Sequence, residues 1–182
     1  MPRLAPLDLD AVTPEQRRVA DAIRSGPRGG LGGPFQAWLR SPGLAEHAQL
    51  VGEYCRFRSS LPADLRELAI ILTGRHWRAQ YEFWAHARLA REAGLDEAAI
   101  EAVRTGAEPR LATEEQRLIY AFVMEYFRTH RVSDGTYRRA VAAFGEHGVV
   151  DLVGVVGYYG LVSMTLNVFE VPLPEGVAEP LA

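Results

Sequence analysis

The run GVVDLVGVVGYYGLVSMTLNVFEV, residues 148 to 171, limits more than any other feature what this chain can fold into. A stretch so long and apolar either crosses a bilayer or is wrapped by other helices. Asp151 and Asn167 lie inside it, and no second run of this kind occurs. A buried core or interface helix is therefore the expectation, in preference to a membrane anchor. Gly154, Gly157 and Gly160 would then leave a strip free of side chains, against which another helix can pack closely.

A central helix needs neighbours, and the rest of the chain reads as helix after helix. TPEQRRVADAIRS places Thr13 as N-cap, Pro14 at the first helical position and Gln16 in the capping-box position. ATEEQRLIYAFVMEYFRTH repeats the pattern with Thr113 and Gln116, and Ser133 or Asp134 can cap GTYRRAVAAFG. A short helix followed by a longer one is expected over FQAWLRSPGLAEHAQLVGEYCRFRSS, interrupted at Ser41-Pro42-Gly43. Pro62 starts ADLRELAIILTGRHW, whose run Leu68 to Leu72 reads as buried, and Gly94 and Gly106 stand where helices end. The spacing predicts an all-α, multi-helix bundle in one domain over 1–182. Within it, 1–34 holds a helix and a glycine-rich loop, 35–171 the helical core, and 172–182 a proline-rich tail that is either a strap or a disordered end.

Several function classes fall away on composition. The formal net charge is −3 and no basic tract stands out, so nucleic acid is not an expected partner. A single cysteine, Cys55, allows neither an intramolecular disulfide nor a CxxC pair, which fits a cytoplasmic setting. MPRLAPLDLD lacks the apolar core of a secretory signal. GPRGGLGGP, residues 26 to 34, is no P-loop, since no Lys-Ser/Thr follows its glycines; it reads as a linker or lid.

Chemistry concentrates in RAQYEFWAHARLA, residues 78 to 90. Glu82 and His86 are four apart, so on a helix they share a face. A carboxylate beside an imidazole raises its pKa and suits it to moving protons near neutrality. The alternative is an exposed i,i+4 pair that stabilises the helix by a few tenths of a kcal/mol. Glu67 enters an otherwise apolar helix just upstream and is either exposed or held for a purpose. A metal is not expected: Glu-x-x-x-His matches neither the di-iron nor the zinc-peptidase spacing, even with Glu67 or His76 as a third ligand. Among the arginines of this region, Arg75 and Arg78 sit at the break between two helices and are the candidates to hold a substrate carboxylate. Trp77, Tyr81, Phe83 and Trp84 read as packing residues that can also wall a pocket.

LRELAIILTGRHWRAQYEFWAHARLAREAGLDEAAIEAVRTG resembles the core of the carboxymuconolactone decarboxylase family, which includes the alkylhydroperoxidase D-type proteins. The resemblance extends to GPFQAWLRSPGLAEHAQLVGEYCRF before it and LVGVVGYYGLVSMTLNVFEVPLPEG after it. In the peroxidase branch the motif is Glu, eleven residues, Cys-x-x-Cys, three residues, His. Glu67 and His86 occupy its outer positions, whereas Ala79 and Glu82 stand where the two cysteines would be, and Tyr81 where a relay histidine would be. Without two nearby sulfurs a dithiol peroxidase cannot operate.

The resemblance therefore implies the branch that lacks the cysteines, with Glu67, Glu82 and His86 converging as catalytic residues. It also implies an alkylhydroperoxidase D-like bundle assembled as a trimer or hexamer, with its pocket near a subunit interface. The expectation is a cofactor-independent lyase on a small carboxylated lactone or related enolisable acid, with Arg75, Arg78 and Tyr81 binding substrate and no cofactor or metal. The alternatives are a peroxidase-related antioxidant protein that uses Cys55 and a non-catalytic oligomeric ligand-binding protein.

Overall fold

The computed structural model describes residues 2 to 181 and is all-helical, with eight α-helices and, among the described residues, no strand. They are α1 Pro14–Ser25, α2 Phe35–Trp38, α3 Pro42–Glu53, α4 Ala63–His76, α5 Gln80–Glu92, α6 Glu97–Thr105, α7 Glu114–Thr129 and α8 Asp134–Val168. A π-helical turn, Tyr54–Arg58, continues α3.

The caps lie where the residues require them. Thr13 makes the complete capping box with Gln16, and Thr113 and Ser133 each accept from the backbone N–H three residues on. The second box is only half formed. Gln116 turns its side chain away from Thr113, accepting from the Ala112 N–H and donating to Asp64 on α4, so it serves as an inter-helix tie. Gly94 and Gly106 follow α5 and α6 with φ of 92° and 78°, the left-handed backbone that glycine adopts without strain. α8 is one long element broken at Gly145 (φ 70°, ψ 169°), so GTYRRAVAAFG and the apolar run are two helices set end to end.

α4 is the axis of the bundle. Residues Glu67 to Gly74 are buried without interruption, because α5, α7 and α8 pack around it and leave no solvent face. The apolar half of α8 is long and apolar enough to cross a membrane; 67 % of its most apolar window is buried within the chain. Leu152, Val155, Tyr159, Val162 and Leu166 supply its buried stripe. Gly154 and Gly157 face outward, with Val150, Val153 and Met164 exposed beside them. Gly160 is buried against the Trp77 indole.

The tail is a strap. Gln80 at the start of α5 exchanges two hydrogen bonds of 2.8 Å with the Leu181 backbone, and the Leu181 side chain is buried. At the other end of the chain, Leu7 N–H donates to the Gln36 side chain and Arg3 pairs with Glu170.

Candidate functional site

A carboxylate on the axial helix of a bundle is costly unless something compensates it. Glu67 is 4 % exposed, and its compensation comes from α5. Its Oε2 lies 2.6 Å from His86 Nδ1, and Arg66 Nε stands 3.9 Å from its Oε1. With Glu67 ionised, Nδ1 carries the proton and donates it to the carboxylate, which fixes the ring and leaves Nε2 for other work. Gly74 permits this arrangement. A Cβ there would crowd the Phe83 N–H at 3.3 Å and touch the Glu82 side chain, so the two helices approach closely at a residue with no side chain.

Glu82 faces the other nitrogen. Its Oε1 is 3.2 Å from His86 Nε2, outside hydrogen-bonding alignment, and that oxygen has no hydrogen-bond partner. Burial pushes the Glu82 carboxyl above its ordinary pKa, and the nearby Glu67 charge pushes the same way; His86, Arg56 and Arg28 pull it down without prevailing. The three predicted catalytic residues thus converge, with unequal roles. The close partner of His86 is Glu67, from the other helix, while its i,i+4 neighbour Glu82 is held loosely, with its carboxyl raised above the ordinary value by burial. The carboxylates stand at opposite ring nitrogens, so one metal ion cannot gather both with the imidazole.

Glu82 and His86 line a cavity of about 210 Å³, small beside the several hundred Å³ of a drug-sized site, and Glu67 lies behind His86 outside its wall. Tyr81 is in its wall, with the end of its ring against Gly32 and Gly33. Burial raises its phenol pKa. Tyr158 and Tyr159, from α8, line the inner side. The Tyr159 ring stands edge-on to His86 with centroids 4.8 Å apart, and its buried hydroxyl has no partner. Burial pushes Tyr158 up to about 12 and Tyr159 well above the ordinary phenol range, so both hydroxyls keep their protons.

The arginines differ from expectation. Arg75 and Arg78 do not line this cavity; they border a separate depression with His76, Gly106 and Tyr120. Helix geometry explains it: Arg75 follows Glu67 by eight residues, about 12 Å along the axis of α4. Its guanidinium packs over Gly106 at the end of α6. Arg78, in the left-handed backbone between α4 and α5, is exposed. In their place stand Arg28 and Arg56. Arg28 comes from the glycine-rich loop, which roofs the cavity through Gly30, Gly32, Gly33 and Pro34, and its guanidinium lies 4.9 Å from the Phe35 ring centre. Arg56 comes from the π-helical turn, a distortion often found at functional sites. That turn is fastened from α8: Asp151 accepts from Tyr54 Oη at 2.9 Å and from Ser60 N–H and Oγ at 2.7 Å each.

Cys55 lies in the same turn, buried, its thiol pushed up to about 11 by burial and by the Asp151 charge. A thiol so protonated is a poor nucleophile. No protein-family model matches this chain, and no curated protein matches it either.

Proposed function

We propose that this chain is a cofactor-independent lyase of the carboxymuconolactone decarboxylase type, acting on a small carboxylated lactone or related enolisable acid. The observation that carries the reading is the buried Glu67–His86 contact of 2.6 Å, which leaves Nε2 beside Glu82 in a cavity of small-molecule size.

In this reading the bond between the substrate's ring carbon and its carboxylate breaks, and carbon dioxide leaves. The electron pair stays behind, delocalised into the lactone carbonyl as a dienolate. A proton then goes to carbon, so the net change consumes one proton and releases one carbon dioxide. His86 Nε2–H is the donor, Glu67 steadies the imidazolium through Nδ1, and Glu82, which favours its proton, resupplies Nε2. Phenols that stay protonated suit hydrogen bonding to the enolate oxygen.

The same reading includes assembly into a homo-oligomer, a trimer or hexamer. It is supported by an outward apolar strip in which Trp77, Val153 and Met164 are 40 %, 57 % and 48 % exposed beside Gly157.

The test is a screen of small carboxylated lactones and keto acids for carbon dioxide release. On any substrate found, His86→Ala and Glu82→Gln are each expected to lower turnover about tenfold or more with the fold intact. Full activity in both variants would eliminate the assignment.

A further inference from the structure

Six buried side-chain polar atoms among the described residues lack a hydrogen-bond partner, and three of them belong to residues lining the His86 cavity. They are Arg28 Nη2, Glu82 Oε1 and Tyr159 Oη. Buried polar atoms are nearly always paired, so three orphans around one small cavity call for a common explanation. The ion pairing points the same way. Arg28 and Arg56 make no salt bridge to a described residue, whereas ten of the twenty arginines do. Glu67 already has His86 as its close partner at 2.6 Å, and Glu82, the one acidic residue in the cavity wall, makes no ion pair with either arginine.

We propose that Arg28 and Arg56 are the carboxylate-binding residues of this cavity and that the Tyr159 hydroxyl receives a carbonyl oxygen, so that the ligand is a small carboxylate bearing one carbonyl. Guanidinium forks match carboxylate oxygens in geometry as well as charge, and the two arginines approach from separate elements, the roof loop and the π-helical turn. The Tyr159 O–H then donates to the carbonyl beside the imidazole, which lies edge-on to its ring. The assignment builds on the lyase reading for the site but concerns binding, and it also holds for a protein that binds such a ligand without converting it.

Calorimetry with γ-butyrolactone-γ-carboxylate, a saturated probe that does not decarboxylate readily, tests it on the full chain. The matching carboxamide and tetrahydrofuran-α-carboxylate, which lacks the carbonyl, are the controls. The carboxylate is expected to bind about tenfold or more tightly than the carboxamide. Arg28→Gln and Arg56→Gln should each cost the carboxylate about tenfold and leave the carboxamide unchanged; Arg28→Lys should recover part of the loss. Tyr159→Phe should weaken the lactone probe and spare the tetrahydrofuran acid. His86→Gln should still bind the carboxylate, which separates recognition from proton transfer. Melting temperatures of the variants check folding. Equal affinity for acid and amide, wild-type affinity in both arginine variants, or no binding of the acid at all would each overturn the proposal. Intact arginine-dependent binding with no turnover of any substrate would instead remove only the lyase reading.

Discussion

Glu67 and His86 meet across two helices, Oε2 to Nδ1 at 2.6 Å, with both side chains buried. The proton-bearing ring is thus held by the axial helix of the bundle and not by its own. Glu67→Ala would leave Nδ1 buried without an acceptor, at a cost of about 1.5–3 kcal/mol in denaturant unfolding. Turnover should fall at least as far as in Glu82→Gln, and the pH profile should shift with it. A Glu67 variant that keeps both stability and profile would show that the contact does not orient the ring.

Glu82 links the site to stability through pH. Its carboxyl is raised above the ordinary value of 4.5, chiefly by burial. As pH rises past that value the unfolded chain gives up its proton while the folded protein keeps it. The folded state then binds more protons, so stability declines until the folded pKa is passed. Glu82→Gln is expected to remove this slope and to be more stable than the parent near neutrality, while losing turnover. Unfolding curves taken from mildly acidic to neutral pH would measure both effects.

Asp151 has the opposite sign. Burial alone would raise its pKa, but hydrogen bonds from Ser60 and Tyr54 outweigh it and hold the carboxyl below its ordinary 3.8. Its contribution is present above that pH and is lost as the pH falls through the folded pKa. Asp151→Ala should cost about 1–3 kcal/mol, since Tyr54 and Ser60 lose their shared acceptor. It should also loosen the turn that carries Arg56, weakening carboxylate binding in whatever protein remains folded.

Gly52 is the clearest steric test. A Cβ there would lie 2.0 Å from Tyr158 Oη and 2.3 Å from Cζ, so the buried Tyr158 ring would have to move, and the cavity it lines is the space open to it. Gly52→Ala is expected to destabilise the fold by about 1–3 kcal/mol and to push Tyr158 toward the cavity. Melting temperature and probe affinity should fall together.

The outward strip of α8 predicts oligomer behaviour. Val153→Glu combined with Met164→Glu places charge on the exposed apolar surface beside Gly157. Light scattering should report a parent larger than one chain and a variant reduced to monomers. A monomeric parent would remove the oligomer from the proposed function.

The site was partly legible in the sequence because part of it is local. Glu82 and His86 share a helix face by spacing alone, and the capping residues Thr13, Thr113 and Ser133 announce helix starts through chemistry confined to four residues. Glu67 stands out as an acid in an otherwise apolar helix, but its contact with His86 depends on how α4 and α5 cross at Gly74. Arg28 and Arg56 were missed because their approach is set by tertiary structure. One rides a glycine-rich loop, whose path no periodicity encodes; the other depends on a π-helical turn fastened by Asp151, over 90 residues away. Arg75 and Arg78 looked better because they are near in sequence, yet a helix carries residues eight apart to different heights. The one available signal was the arginine inside GPRGGLGGP, a charge in a segment otherwise made of glycine, proline and leucine.

Arg28 stands on the roof, and its charge is among those that draw the proton affinity of Glu82 downward. The loop that carries Arg28 thus does two things at once: it closes the chamber over His86, and it sets a positive charge on the same side as the buried Glu82 carboxyl.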